Sequence, residues 1–145
     1  MQQIELCQEI PAPPEVVWAV YTDHEGWSRW AGVKEVVLRQ PGHPPHNGLG
    51  AIRVIRQSGV AIEEEITAFD PPKRMEYRLT AGAPLRDHRG QVQFEPTSGG
   101  TRLTWTVEFR PWIPGTGWLV RRVLERTLRG ILERLVSYPF ASDPS

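Results

Sequence analysis

A chain of 145 residues with 17 basic and 17 acidic side chains carries no formal net charge, which excludes the electrostatic footprint of a general nucleic-acid binder. Apolar residues make up 39%, the level of a folded domain rather than a disordered segment, and the length suits one domain with its own core. The lone cysteine, Cys7, rules out an intrachain disulfide and a cysteine metal cluster.

The N-terminal stretch "MQQIELCQEI" has no basic region leading into an apolar run, and no segment approaches about 18 uninterrupted apolar residues. Neither a signal peptide nor a membrane span is expected, and a cytoplasmic setting suits the single thiol. Residues 2–10 alternate, with Ile4, Leu6 and Ile10 on one side and Gln8 as a polar member of that face, which predicts a strand. "PAPPEVVWAVYTD" then places prolines where a helix tolerates them, at and before its first turn, and predicts a short helix over 14–22. "DHEGWSRWAG" predicts a second, with Asp23 as its cap and Gly32 as its stop.

Alternating runs broken by Gly-, Pro- and Asn-containing turns follow: "VKEVVLRQ", "AIRVIRQ", "VAIEEEITAF", "RMEYRLTA", "RDHRGQVQFEP" and "TRLTWTVEFRP". Tight turns between period-two runs predict hairpins in an antiparallel meander. After "PWIPGTG" the period changes: Val120, Leu124, Leu128, Ile131 and Leu135 mark one face of a helix over about 116–137, with Arg121, Arg122, Arg126, Arg129 and Arg134 on the other. Gly130 lies inside it, at a helix-propensity cost of about 1 kcal/mol relative to Ala. Residues 1–140 read as a single domain and 141–145 as a tail. The class is α+β: a curved antiparallel sheet of about six to seven strands wrapped around a long C-terminal helix, with two short helices after the first strand.

One strand carries a carboxylate where an apolar residue belongs. In "VAIEEEITAFDPP" Glu64 shares a face with Val60, Ile62, Ile66 and Ala68. A buried carboxylate without a partner is costly or takes up a proton, so a bulge, a partner or a cavity is required. Arg53, in phase with Ala51 and Ile55, and His88, in phase with Gly90, Val92 and Phe94, are candidate partners on neighbouring runs.

The order of elements, together with "IPAPPEVVWAVYTDHEGWSRW", "NGLGAIRVI", "EEITAFDPPKRMEYRL", "RDHRGQVQFEP" and "GGTRLTWTVEF", resembles the START-like (SRPBCC) superfamily, which includes polyketide cyclase/dehydrase-like proteins of helix-grip fold. The resemblance spans essentially the whole chain. It implies a deep cavity between sheet and long helix, entered near the hairpin loops and the start of that helix, and a hydrophobic or aromatic small-molecule ligand such as a lipid or polyketide.

Within that frame Arg53, Glu64 and His88 are expected to form a polar cluster in an apolar pocket, the carboxylate raising the His88 pKa. Tyr77, Phe94 and Trp105 lie on the expected inner face as walls. Trp27 and Trp30 read as core, or more sharply as a lid. Trp112 and Trp118 flank the start of the long helix, near the expected mouth, or staple the helix entry. His43 and His46 in "GHPPHNG" lack the further ligands of a zinc site, and neither metal nor cofactor is expected. Ligand binding leads. A polyketide cyclase, aromatase or dehydratase with His88 and Glu64 in acid–base roles is the alternative, and an interaction protein with a closed cavity, possibly a homodimer, a third.

Overall fold

The computed structural model describes residues 1–140; the expected tail over 141–145 lies outside the described residues. Strand β1 (Gln2–Ile10) is followed by helix α1 (Pro14–Thr22) and a 3₁₀ helix (His24–Arg29). Six strands then run in sequence: β2 (Glu35–Gln40), β3 (Ile52–Gln57), β4 (Val60–Asp70), β5 (Arg74–Ala81), β6 (Leu85–Thr97) and β7 (Gly100–Pro111), and helix α2 (Gly117–Val136) follows. One antiparallel sheet orders them β1-β7-β6-β5-β4-β3-β2. Each strand from β2 to β7 pairs with its sequence neighbour, through short turns from β3 onward and across the longer loop 41–51 between β2 and β3, while β1 returns to pair with β7 from Gln2↔Phe109 to Ile10↔Thr101.

The concave face carries the alternating apolar residues. Ile4, Leu6 and Ile10 of β1, Leu103, Trp105, Val107 and Phe109 of β7, Val92 and Phe94 of β6, and Met75 and Tyr77 of β5 are all buried. Helix α1 lays Val17, Trp18 and Tyr21 on this face, where Trp18 and Tyr21 meet Phe94 edge-on at ring-centre distances of 5.2 and 5.7 Å. Helix α2 packs against β1 and β7, and apart from Gly117 its buried residues, Leu128, Ile131, Leu132 and Leu135, all belong to its C-terminal half.

Some local expectations need correction. The second short helix is 3₁₀, and Asp23 does not cap it; the carboxylate faces Arg29 Nη2 at 3.4 Å instead, and the backbone carbonyl of Asp23 takes the Gly26 N–H. Gly32 does stop this segment, at φ +81°. Nothing lies within 4 Å of where a Cβ on Gly130 would sit, so no closely crossing strand requires a glycine there. On the convex face Glu76 of β5 is buried between Arg74 and Arg89, a second clamped carboxylate.

Gly90 of β6 is the glycine the concave face requires. It pairs with Tyr77, and a Cβ there would stand 2.1 Å from Cζ of the Tyr77 ring. The ring therefore lies flat over β6. We expect Gly90→Ala to lower stability by about 1–3 kcal/mol, the usual cost of overpacking a filled core, read as a fall in melting temperature with secondary structure retained.

Candidate functional site

The candidate site grows from the pairing of β3 with β4. Arg53 and Glu64 stand directly opposite each other, and the Glu64 Oε1 atom accepts from Arg53 Nε at 2.9 Å and Nη2 at 2.8 Å. The pairing of β4 with β5 shifts between Glu63 and Glu64. The carboxylate is thus both partnered and seated at an irregularity, two of the three solutions its place in the strand demanded. Arg53 is 1% exposed and Glu64 8% exposed.

Burial of a guanidinium needs more than one carboxylate oxygen. The rest comes from aromatic faces: Arg53 Cζ lies 5.0 Å from the ring centre of Trp27 and 4.7 Å from that of Tyr77. The flat cation is held between two rings, an arrangement that suits Arg and not Lys. Burial works against the charge, and Glu64 together with Tyr21 and Tyr77 outweighs it, so Arg53 is held above its ordinary pKa. The Tyr77 hydroxyl accepts the Trp105 indole N–H at 2.8 Å, which fixes both rings. Tyr21 from α1 closes the group, its ring centre 5.3 Å from Trp27 and 5.6 Å from Trp105. Burial pushes its phenol pKa up.

Two donors in this group are left over. Among the described residues, neither Arg53 Nη1 nor the Tyr21 hydroxyl has a hydrogen-bond partner. Buried polar atoms without partners are rare in folded proteins, and both of these belong to residues packed against Trp27.

His88 stands at the outer end of the cluster, in a role other than the one expected. Its Nδ1 accepts the Leu79 backbone N–H at 3.0 Å, and its ring centre is 5.6 Å from that of Tyr77. The strand carrying Leu79 thus comes between His88 and Glu64, and the expected trio is an Arg53–Glu64 pair with a histidine beyond it. The pKa expectation is corrected as well. Burial lowers the His88 pKa and outweighs the Glu64 carboxylate, while Arg53 adds to the lowering. A neutral imidazole whose Nδ1 accepts a bond carries its proton on Nε2, so His88 offers a ligand an N–H donor and not a free lone pair.

The remaining expected residues divide. Tyr77, Phe94 and Trp105 are 2%, 3% and 1% exposed on the concave face. Farther out on the same face, Ile55 of β3, Ile62 of β4, Leu79 of β5 and His88 of β6 are only half-buried, so the concave face passes from a closed end at Trp27 to a partly open one. Trp112 and Trp118 are 62% and 61% exposed. Trp112 donates its indole N–H to the Leu85 carbonyl at 3.2 Å; neither residue joins the Arg53 group. Trp27, Tyr21 and His24 were missed as partners of that group. A helix end rich in aromatic residues was the one available signal.

His24 is fully buried in the 3₁₀ helix with neither ring nitrogen partnered among the described residues. Burial, and then the charge of Arg53, hold its pKa well below the ordinary value of 6.5. The nearest groove on the surface, about 490 Å3 between α1 and loop 41–50, is lined by Trp18, Thr22, Asp23, His46, Asn47 and Phe69 and does not include the Arg53 cluster.

Two outcomes are expected. Glu64→Ala leaves Arg53 buried and unpaired and should cost about 3–5 kcal/mol in chemical denaturation, whereas the double replacement Arg53→Met with Glu64→Leu should recover most of that loss. For His24 the folded-state pKa is depressed, so its contribution is complete above the unfolded value of 6.5 and is lost as pH falls below it toward the folded value. The melting temperature should therefore decline between pH 7.5 and pH 5.5, and His24→Phe should decline less over the same interval.

Comparison with known proteins agrees with this geometry. The family model described as "Polyketide cyclase / dehydrase and lipid transport" matches residues 1–138. An uncharacterized protein of Mycobacterium tuberculosis is 31% identical over 140 residues, covering 90% of this chain and 80% of that one, and its Mycobacterium bovis counterpart matches equally. A START superfamily protein from Mycobacterium smegmatis superposes with a TM-score of 0.78 at 14% identity, over 93% of this chain and 94% of that one. The Zhui aromatase/cyclase of a Streptomyces species does so with 0.77 at 16% identity, over 94% and 92%. These two share the fold, and the curved sheet and C-terminal helix are the helix-grip architecture. By the match along almost its full length, the chain belongs to the polyketide cyclase/dehydrase and lipid transport family.

Proposed function

We propose that the protein binds a largely apolar small molecule carrying one carbonyl or hydroxyl oxygen, on the concave face of its sheet. The observation that carries this reading is the pair of unpartnered donors, Arg53 Nη1 and the Tyr21 hydroxyl, within aromatic walls. A few polar groups converging inside apolar surroundings is the usual form of a small-molecule site, and a ligand oxygen would complete both. The half-buried Ile55, Ile62, Leu79 and His88 give the apolar body a place to lie and a second donor at His88 Nε2. Entry to the closed end requires Trp27 or Tyr21 to move aside, since their rings occupy the space around Arg53. Family membership supports the same class of ligand.

The alternative of a cyclase, aromatase or dehydratase draws on the Arg53 and His88 donors, which would polarise a carbonyl. The bonding of His88 Nδ1 to Leu79 argues against His88 as general base, so binding is preferred over catalysis. Glu64, already taken up by Arg53, serves to hold that cation in place.

The test is a panel of fatty acids, sterols and aromatic polyketides, followed by melting temperature and tryptophan fluorescence. A ligand at 100 times its Kd should raise the melting temperature by about 5–10 °C. Leu79→Trp, which fills the partly open face, should abolish the rise while leaving the unliganded protein folded. A panel that shifts neither observable overturns the proposal in favour of a protein with a closed interior, and a shift that survives Leu79→Trp overturns it by placing the ligand away from the concave face.

A further inference from the structure

The apolar surface that the fold leaves uncovered is concentrated in one place. Of the nine large apolar side chains exposed to solvent among the described residues, five, Trp112 (62%), Ile113 (64%), Trp118 (61%), Leu119 (49%) and Val123 (60%), fall between the end of β7 and the second turn of α2, while Met1, Val16, Leu49 and Val60 are scattered singly. The helical period explains the pattern. Leu128, Ile131, Leu132 and Leu135 define the buried side of α2. At 100° per residue Val120 and Leu124 continue that side, and Leu119 and Val123 extend the apolar sector beyond it, onto a flank the sheet does not reach.

The charges around this flank have one sign. Arg122 and Arg126 border Leu119 and Val123 on the outer surface of α2, and Arg121 borders Trp118 on the other side. The N-terminal half of the helix holds one carboxylate, Glu125, which faces Arg129 at 3.2 Å. Among the described residues no carboxylate lies within ion-pair distance of Arg121, Arg122 or Arg126, and the neighbouring Asp87 is matched to Arg110 at 3.3 Å. A chain of zero net charge thus carries a local excess of cations beside this cluster of exposed apolar side chains.

From this juxtaposition we propose that the β7–α2 corner is a docking surface for an anionic lipid bilayer. Indoles at both sides of the turn, aliphatic side chains on one helical sector and arginines at its border are what the headgroup boundary takes up: tryptophan sits at the interface, aliphatic groups enter the acyl region, and arginines reach the phosphates. Contact is confined to the surface, for no helix of the described residues is long and apolar enough to cross a membrane. A second copy of the chain would have to place arginines against arginines in a two-fold contact, which disfavours the protein itself as occupant. This surface is independent of the proposed ligand and stands whether or not the concave face binds one.

The experiment is flotation of the whole protein with vesicles of phosphatidylcholine alone and with phosphatidylglycerol added, at low and at moderate ionic strength, with tryptophan emission read in parallel. The protein should float with the anionic vesicles only, lose that association as salt rises, and shift its emission to the blue. Replacing Arg121→Gln, Arg122→Gln and Arg126→Gln together should weaken the partition coefficient by about fivefold per arginine. Replacing Trp118→Ser and Leu119→Ser should abolish the blue shift; both sets are exposed, and unchanged melting temperatures confirm folding. Failure to float with anionic vesicles at low salt, equal flotation with both compositions, or insensitivity to both sets of substitutions overturns the proposal. So does a dimer in sedimentation that Trp118→Ser dissociates.

Discussion

A guanidinium cannot be taken out of water without a full set of replacements, and the interior of this protein is arranged around meeting that demand for Arg53. Glu64 supplies the counter-charge from the adjoining strand, Trp27 and Tyr77 supply the two faces, and Trp105 and Gly90 hold Tyr77 in its place. Each contributor comes from a different element, so the cation ties β3, β4, β5 and the 3₁₀ helix into one unit. A buried pair of this kind gives little net stability over a well-packed apolar alternative. Its value lies in positioning: it fixes a donor, Nη1, in a dry and aromatic setting where a hydrogen bond to a ligand is worth most.

The two ends of the concave face have different characters in consequence. Around Arg53 the volume is filled by rings that meet edge to face. Toward Leu79 and His88 the side chains are half-buried, and the charge gives way to a single imidazole N–H. That gradient is what the proposed ligand, one oxygen on a long apolar body, would require.

Much of the fold was legible in the sequence because it depends on local periods. Alternation in "TRLTWTVEF" and the three-and-four spacing from Val120 to Leu135 placed β7 and α2, and prolines 11, 13 and 14 placed the start of α1. Glu64 announced itself by breaking a pattern, and the phase of Arg53 named its partner. What escaped depends on contacts between distant segments. Nothing in "DHEGWSRW" indicates that Trp27 covers a cation on β3, some 26 residues later. The His88 pKa was misjudged for a related reason: a nearby carboxylate can be read from strand phase, whereas burial and an amide donor from the adjoining strand come only with the packed sheet.

The order of strands has a consequence for how the chain assembles. From β2 to β7 every pairing joins sequence neighbours, through short turns except for the loop between β2 and β3, and can form as soon as the second strand exists. β1 alone must wait for a partner about 100 residues away, an entropic delay that local hairpins never face. During synthesis β1, the earliest of these seven strands to leave the ribosome, is therefore among the last to be seated, and its row of unpaired amides stays open to other chains until β7 emerges.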